Sequence, residues 1–292
     1  SKESELKKET LFPDTLDRAK YAEYLTNYLS EYKSQSYVFN INSSWGAGKT
    51  YFIKRWADTL KSKHPVIYFN SWKHDNNSEP LILILGEIIE QLESLLGNEN
   101  SKEKKKLKTS TLNALKHIIP TLSKGIFQKV SGTNWNDLLP NEDNPEDPST
   151  QGADAQTGYN KIIGELGSST AKGLLSLHKE QAESIDILKK QIESILENVL
   201  TEDKELWSPM YVFIDELDRC RPTFAIEVLE VIKHIFDIPK IIFVIATDTT
   251  QLQHSIKAVY GNGFDAEKYL MRFFNRSFSL PQPQLIDYLK TH

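Results

Sequence analysis

The sequence lacks most of the features that mark secreted and membrane proteins. Its one cysteine, Cys220, excludes a disulfide within the chain and a cysteine-based zinc site. Its longest apolar runs, 81–85 and 241–246, are far shorter than the ~20 residues of a membrane span. The polar start of the chain has no apolar signal-peptide core. These absences predict a soluble, cytoplasmic protein with no membrane contact.

Charge and composition exclude further classes. The 292 residues include 35 basic and 40 acidic side chains, and the net charge of −5 argues against nucleic acid or an anionic membrane as a partner of the whole chain. A basic run at 102–108 keeps nucleic acid as an alternative, although nothing else in the sequence supports it. The seven histidines show no metal-ligand spacing. Apolar residues make up 39%, less than the ~45–50% of an average globular chain, which indicates a long polar insertion.

Strand-like and helix-like segments alternate at both ends of the chain. The β-rich runs Tyr37–Asn42 and Val66–Asn70 enclose a segment, 49–62, that suits a crossover helix. The last third predicts strands at 211–214, 241–247 and 277–280 and helices at 223–236, 249–260 and 265–275. This alternation predicts an α/β fold built on a parallel sheet.

A polar region interrupts the alternation. We expect residues 1–96 and 205–292 to form the core and residues 97–204 to form a mainly helical insertion. Within it, residues 134–158 are rich in Asn, Asp, Glu, Pro and Gly and predict a flexible acidic loop. Residues 180–200 carry one apolar stripe at helical spacing, which suits burial among the insertion's own helices or contact with a second subunit.

A glycine-rich segment follows the first predicted strand. Residues 43–50 read Ser-Ser-Trp-Gly-Ala-Gly-Lys-Thr, close to the phosphate-loop pattern G-x-x-x-x-G-K-[ST] between a strand and a helix. Glycine lets successive backbone N–H groups turn toward phosphate oxygens, and the helix N-terminus adds partial positive charge. Lys49 is expected to bind the β- and γ-phosphates, and the Thr50 hydroxyl to bind Mg²⁺. The predicted nucleotide-binding residues of this segment are Ser44, Trp45, Gly46, Ala47, Gly48, Lys49, Thr50 and Tyr51.

The segment departs from the pattern at its first position, where Ser43 replaces glycine. A left-handed backbone at this position would strain serine by about 1 kcal/mol or more. We expect binding to survive, because the end of the loop at 46–50 carries most of the phosphate contacts. A glycine-rich turn without a ligand is the alternative.

Two acids end the strand-like run 211–214. In open α/β sheets the ligand crevice lies at the carboxyl ends of the strands, where Asp215 can hold Mg²⁺ and Glu216 can polarise the attacking water. The alternative is a strand that ends at a polar turn in solvent. Asp218 and Arg219 follow, and the sequence leaves open whether they order this loop, meet a neighbouring subunit or form a surface ion pair.

Polar residues also end the next strand-like run, and basic residues follow later. Thr247 and Asp248 can orient the attacking water and sense the γ-phosphate, or the role of this segment is capping of the next helix by Asp248 or Thr249. Lys268, Arg272 and Arg276 recur every four residues and predict one helix face. One interpretation of this face is a solvated basic stripe. The other is an arginine that binds phosphate in cis or across an oligomer interface, and Arg272 is the better candidate for this role.

Together these segments resemble the KAP family of P-loop NTPases. The resemblance rests on the segment 39–50, on Trp72, on Phe-Ile-Asp-Glu-Leu-Asp-Arg-Cys-Arg-Pro at 213–222, and on the segment 269–281. It implies a three-layer P-loop sandwich of the ASCE type, with sheet order 5-1-4-3-2 and a helical insertion between strand 2 and the acidic strand. It also implies a C-terminal region beyond this chain and, as in several soluble bacterial members, a role in defence against phages.

The sequence therefore predicts a Mg²⁺-dependent ATPase that acts as a conformational switch or assembly motor, with Glu216, Lys49 and Arg272 as catalytic residues. ATP rather than GTP is implied by the resemblance and by the lack of a guanine-reading Asn-Lys-x-Asp element. A homo-oligomer or a partner protein is expected. The alternatives are a nucleotide-dependent binding module or oligomeric scaffold with little hydrolysis, and an effector ATPase stimulated by nucleic acid.

Overall fold

The computed structural model describes residues 18–76, 80–96, 101–118, 170–200, 207–234 and 236–280. Its contacts divide the chain into two compact units, one formed by Ser1–Ser78 with Leu200–His292 and the other by Glu79–Val199. We call them the sheet unit and the inserted unit. The division assigns residues 80–96 to the inserted unit, whereas we expected the insertion to begin at residue 97. The expected acidic loop at 134–158 lies outside the described residues.

Within the described residues, the sheet unit contains one five-stranded sheet. Its strands are β1 (Tyr37–Asn42), β2 (Val66–Asn70), β3 (Met210–Asp215), β4 (Ile241–Thr247) and β5 (Arg276–Ser279). The order is β2-β3-β4-β1-β5, and every adjacent pair is parallel. Read from β5, this is the order 5-1-4-3-2 that the resemblance implies, so the α/β fold class is confirmed.

The helices are numbered along the chain. They are α1 (Arg18–Ser30), α2 (Lys49–Leu60), α3 (Ser71–His74), α4 (Pro80–Leu96), α5 (Ser101–Ile118), α6 (Thr170–Val199), α7 (Pro222–His234), α8 (Thr249–Tyr260) and α9 (Ala266–Leu270). A 3₁₀ turn, Leu217–Arg219, follows β3. The inserted unit holds α4, α5 and α6, and the sheet unit holds the rest.

Helices cover both faces of the sheet because the crossover connections run in opposite directions. The connection from β1 to β2 moves toward the β2 edge, whereas those from β3 to β4 and from β4 to β5 move toward the β5 edge. Right-handed crossovers therefore place α2 on one face and α7 and α8, which contact each other, on the opposite face. The result is the three-layer arrangement expected of a P-loop sandwich.

The face that α2 covers is packed around Trp56, a side chain only 1% exposed. Its ring meets Phe213 of β3 edge-on, with 5.2 Å between the centroids. Its Nε1 donates to Oγ1 of Thr26 in α1 at 2.8 Å, so the one polar atom of the indole is satisfied. Trp56 therefore joins α1, α2 and the sheet.

The expected helix at 265–275 is shorter in the structure, where α9 ends at residue 270. Asn275 explains the difference, because its N–H donates to Val38 O at 2.9 Å and its Oδ1 accepts from Val38 N at 2.8 Å. This pairing with β1 draws the chain into β5 from residue 276 onward. The predicted basic helix face is therefore wrong for its three members, Lys268, Arg272 and Arg276.

The inserted unit buries part of the predicted apolar stripe. Leu188 and Ile192 of α6 and Leu107 of α5 are buried, and α5 contacts α6. The basic run 102–108 lies on α5, where Lys108 Nζ is 3.3 Å from Glu93 Oε2 of α4. None of the helices described in either unit is long and apolar enough to cross a lipid bilayer.

His64, which follows α2, connects two parts of the sheet unit. Its Nδ1 lies 3.0 Å from Trp207 O and 3.1 Å from Pro209 O, and its ring meets that of Tyr211 edge-on at 5.1 Å. Nδ1–H therefore donates to the segment that leads into β3. Burial lowers the pKa of His64 below its usual 6.5, although the two carbonyl contacts oppose this shift.

Acidification from about pH 7 to about pH 5 is expected to weaken the fold through His64. Because the pKa is lowered in the folded state, His64 is neutral in both states well above 6.5, and at lower pH the unfolded chain takes up the proton more readily. The variant His64→Gln should therefore lose less free energy of unfolding over this range, as measured by urea denaturation. The control is His254→Gln, on the exposed side of α8, which should lose as much as the wild type. An equal loss in all three proteins would contradict the prediction.

Candidate functional site

The parallel register brings polar residues to one edge of the sheet. Asn70, the last residue of β2, lies opposite Asp215, the last residue of β3. Asn42 of β1 lies opposite Thr247 of β4 in the same way. These four strand ends are the carboxyl ends, where ligands bind in open α/β sheets.

The loop between β1 and α2 turns at its glycines. Gly46 and Gly48 have φ angles of +84° and +83°, and Gly48 caps α2 with a left-handed backbone. Ser43 is not among the described residues with positive φ, so the strain considered for this serine does not arise. Its N–H donates to Thr247 O at 3.2 Å, which joins the start of the loop to the end of β4.

A cavity of about 460 Å³ lies where this loop meets the end of β3. It is lined by Trp45, Gly46, Gly48, Lys49, Thr50, Tyr51, Lys54, Asp215, Glu216, Asp218 and Arg219. The structure thus brings most of the expected site residues together. The expected residues that do not line this cavity are Ser44, Ala47, Thr247, Asp248 and Arg272.

Lys49, the first residue of α2, turns back over the loop. Its Nζ donates to Ser43 O at 2.5 Å and to Ser44 O at 3.1 Å. Burial lowers the pKa of Lys49, and the negative charge of Asp218, followed by other carboxylates, opposes the shift. The ammonium is therefore held by two backbone carbonyls, and it can move from them to a bound phosphate.

Asp215 is 1% exposed at the end of β3. Its Oδ2 accepts from the Tyr68 hydroxyl at 2.5 Å, and its Oδ1 accepts from the N–H of Glu216 at 2.9 Å. Burial raises the pKa of Asp215, while hydrogen bonds from the Tyr68 and Thr50 hydroxyls oppose this rise. The Thr50 hydroxyl therefore lies beside this carboxylate on the cavity wall.

These two groups suit a magnesium ion. Mg²⁺ usually takes one or two protein oxygens and completes its shell with water and phosphate oxygens. The pair of Thr50 and Asp215 offers such a set beside the phosphate loop. No group of three or more His, Cys, Asp or Glu side chains that could hold a metal ion exists among the described residues.

Glu216 is held at both carboxylate oxygens. Asn70 Nδ2 donates to Oε2 at 2.9 Å, and Arg219 Nη1 lies 3.3 Å from Oε1. The backbone of Glu216 has a φ of +58°, a left-handed conformation that costs a non-glycine residue about 1 kcal/mol or more. This turn directs the chain from β3 into the 3₁₀ turn 217–219 and leaves the Glu216 side chain on the cavity wall.

Asp218 joins three segments of the site. This carboxylate is 7% exposed, and its Oδ2 accepts from Trp45 Nε1 at 2.6 Å and from the N–H of Asp248 at 3.1 Å. Of the roles that the sequence left open, Asp218 therefore orders the loop. Trp45, although 56% exposed, is fixed through its indole N–H.

Asp248 caps α8, with Oδ1 accepting from Thr250 N at 3.0 Å and from Gln251 N at 3.4 Å. It lines a second cavity, of about 450 Å³, together with Asn42, Ser43, Ser44, Thr250, Gln251, Ser279 and Leu280. Thr247 is fully buried, and its hydroxyl has no hydrogen-bond partner within the described residues. The structure thus shows capping by Asp248, and the sensing role of Thr247 and Asp248 stays a prediction.

Arg272 lies far from the loop along the strand direction. β5 begins at Arg276 opposite Phe39 and runs parallel to β1, so the turn that holds Arg272 precedes the amino ends of both strands. The phosphate loop follows the carboxyl end of β1. A role for Arg272 toward phosphate in cis is therefore not supported by its position, and a role across an oligomer interface stays a prediction.

Sequence reasoning did not single out Tyr68 or Lys54. Tyr68 lies two residues before Asn70 on β2, so the strand alternation places both side chains on the same face. Lys54 lies one helical turn after Thr50 on α2, and its Nζ is 5.3 Å from the Tyr68 ring centroid.

Cys220 is not suited to be a nucleophile, because burial raises the pKa of its thiol to about 12.

The fold and these residues define the class. A parallel sheet with a Gly-Lys-Thr loop after β1 and an Asp-Glu pair after β3, two strands away, is a P-loop NTPase domain. The profile of the KAP family P-loop domain matches residues 18–290, and the chain belongs to this family. The resemblance inferred from the sequence is confirmed.

Individual relatives are more distant. Over 76 residues the chain is 29% identical to the phage T7 exclusion protein of Escherichia coli strain K12, a stretch that covers 26% of this chain and 10% of that protein. The ORC2 protein of Aeropyrum pernix, solved as ADPNP and ADP complexes, aligns over 97% of this chain and 53% of its own, with 12% identity and a TM-score of 0.35. The chain thus spans well under two thirds of either protein. The fold assignment accordingly rests on the sheet order and the family match.

Substitution of Gly48 by alanine is expected to destabilise the sheet unit. A Cβ at this position would meet nothing within 4 Å, so the cost comes from the φ of +83° and amounts to about 1–2 kcal/mol. Gly263→Ala is the matched control, because Gly263 also faces open space but has no positive φ. Urea denaturation without nucleotide measures both. Equal stabilities for the two variants would show that the loop conformation of Gly48 is not constrained as described.

Proposed function

We propose that this domain binds ATP together with Mg²⁺ and hydrolyses it, and that the resulting conformational change operates a switch or an assembly motor. One observation carries the proposal: Lys49, Thr50, Asp215 and Glu216 line a single cavity beside a loop with two left-handed glycines. These residues match the parts that P-loop NTPases use for phosphate, metal and water. A function in which the site binds no phosphate would leave this combination of residues unexplained.

Binding is expected to rearrange Lys49. Its ammonium is held by the carbonyls of Ser43 and Ser44 and can move to the β- and γ-phosphate oxygens, which carry full negative charge. The backbone N–H groups of the loop and the N-terminus of α2 add to the attraction. Thr50 and Asp215 would hold Mg²⁺, which neutralises charge that develops on the phosphate oxygens.

Hydrolysis then depends on Glu216. The oxygen of a water molecule forms a bond to the γ-phosphorus as the bond from phosphorus to the bridging oxygen breaks, and ADP keeps the electron pair of that bond. The proton that the water loses passes to a carboxylate oxygen of Glu216, which subsequently releases it to solvent. Asn70 fixes the direction of the carboxylate through its bond to Oε2.

ATP is preferred over GTP in this proposal on two grounds. The resemblance to the family favours ATP, and the sequence has no guanine-reading Asn-Lys-x-Asp element. Lysine residues of α5 give nucleic acid little further support, because one of them, Lys108, pairs with Glu93 in the same unit. Assembly with a second copy or another protein remains part of the proposal, with Arg272 as the candidate residue at such an interface.

The variant Glu216→Gln should bind ATP with nearly unchanged affinity and release phosphate about 10²–10⁴-fold more slowly, because the amide cannot accept the proton of water. Calorimetry and a phosphate-release assay on the same sample measure both quantities. The control is Glu230→Gln, an exposed carboxylate on α7 that lies outside the cavity, and it should behave as the wild type. Equal turnover in Glu216→Gln and the wild type would remove Glu216 from the mechanism.

A nucleotide-dependent binding module with little hydrolysis is the second candidate. It is favoured by the state of Glu216, both of whose carboxylate oxygens are engaged by Asn70 and Arg219. Each carboxylate oxygen in this state already has a protein partner. Wild-type protein that binds ATP tightly but turns over as slowly as Glu216→Gln would select this candidate.

The similarity to the phage T7 exclusion protein motivates a proposal about biological context. We expect the protein that contains this domain to reduce phage infection and to need nucleotide binding for it. Cells that express this protein should form fewer plaques than cells that express its Lys49→Ala variant at the same protein level. Equal plaque counts for the two proteins would separate this domain from phage defence.

A further inference from the structure

Arg219 is a cation of the cavity wall with a largely accessible side chain. Its side chain is 44% exposed, and its Nη1 lies 3.3 Å from Glu216 Oε1 in an ion pair. The guanidinium also lies over the ring of Trp72, 5.6 Å from the centroid. The backbone behind it is fixed, because the N–H of Arg219 donates to Glu216 O at 3.2 Å and the neighbouring Leu217 is fully buried. A change of partner therefore needs only side-chain rotation.

The partner that Arg219 holds does not depend on it for orientation. Glu216 Oε2 accepts from Asn70 Nδ2 at 2.9 Å, and Asn70 is itself fixed because its Oδ1 accepts from Lys73 N at 3.0 Å. If Arg219 leaves, Glu216 keeps the Asn70 bond and gains one uncommitted oxygen, Oε1. Arg219 thus occupies the carboxylate oxygen that a catalytic base would use.

An incoming phosphate competes for this guanidinium. A terminal phosphate carries more negative charge than a carboxylate and accepts the planar fork of arginine at two oxygens. Arg219 shares the cavity with Lys49 and the loop glycines, where phosphate is proposed to bind.

We propose that Arg219 exchanges Glu216 for the γ-phosphate when ATP binds, and that this one movement both stabilises the phosphate and frees Glu216 Oε1 for the attacking water. The inference rests on the proposed function and deepens it. Arg219 then performs in cis the role that the sequence suggested for Arg272. ADP, which lacks the γ-phosphate, leaves the pair of Arg219 and Glu216 in place.

Arg219→Ala tests the exchange. Calorimetry with ATP and with ADP should show an affinity for ATP at least tenfold lower than in the wild type and an affinity for ADP changed less than twofold. Phosphate release at saturating ATP should fall as well, because the variant lacks the guanidinium at the γ-phosphate. Unchanged affinities for both nucleotides, or faster phosphate release than in the wild type, would overturn the exchange, since Arg219 would then only restrain Glu216.

Arg221→Ala is the matched control. Arg221 lies two residues further along the same loop, is paired with Asp75 at 3.1 Å and does not line the cavity. This variant should keep the wild-type ratio of ATP to ADP affinity. Arg219→Lys adds a second test, because a lysine keeps the charge without the planar fork and should restore part of the ATP affinity that alanine loses. A tenfold loss of ATP affinity in Arg221→Ala would show that the loop, not the guanidinium of Arg219, carries the effect.

Failure of the exchange can be told apart from failure of the proposed function. Wild-type protein that binds no ATP at millimolar concentration would remove the proposed function and the exchange with it. Wild-type protein that binds ATP, with turnover abolished in Glu216→Gln but an unaltered ATP-to-ADP ratio in Arg219→Ala, would remove the exchange alone. Thermal unfolding of each variant shows whether its fold is intact.

Discussion

Parallel pairing of β3 between β2 and β4 creates the site, because it aligns the carboxyl ends of strands that are far apart in the chain. The register sets Asn70 directly opposite Asp215 and extends through β4 to β1, from which the phosphate loop emerges. Trp45 and Asp218 are 173 positions apart in sequence, yet their side chains meet at 2.6 Å. The inserted unit lies between β2 and β3 in the sequence, and the two strands nevertheless pair with each other.

The acids around the cavity are all held by donors that the fold supplies. Hydroxyl groups bind Asp215, an amide and a guanidinium bind Glu216, and an indole N–H and a backbone N–H bind Asp218. Buried or half-buried carboxylates need such partners, since an unpaired charge away from water costs several kcal/mol or more. The same donors also fix the directions in which these carboxylates point. A carboxylate that is aimed in advance can meet a metal ion or a water molecule without reorganisation of its surroundings.

Features with a local cause could be predicted from the sequence. Strand bounds, the phosphate loop and the acids after β3 follow from short patterns of apolar, glycine and charged residues, and the structure places them together. Features that depend on distant partners could not. The observed helix before Arg272 is shorter than the expected one. It is shorter because Asn275 pairs with Val38, 237 positions away, and the sequence does not reveal this pairing. The groups that bind Asp218 and Glu216 likewise come from segments that the sequence alone does not bring together.

The tryptophans of the sheet unit are distributed in a way that makes the cavity optically observable. Trp45 and Trp72 are more than half exposed and each contacts a charged side chain of the 3₁₀ turn, Asp218 and Arg219 respectively. Trp56, in contrast, is buried in the core, where nothing in the proposed cycle moves it. Indole emission responds to nearby charge and to solvent. Among the described tryptophans, Trp45 of the cavity wall and Trp72 beside Arg219 can therefore report on the charges of the site by fluorescence, and Trp56 can serve as a reference.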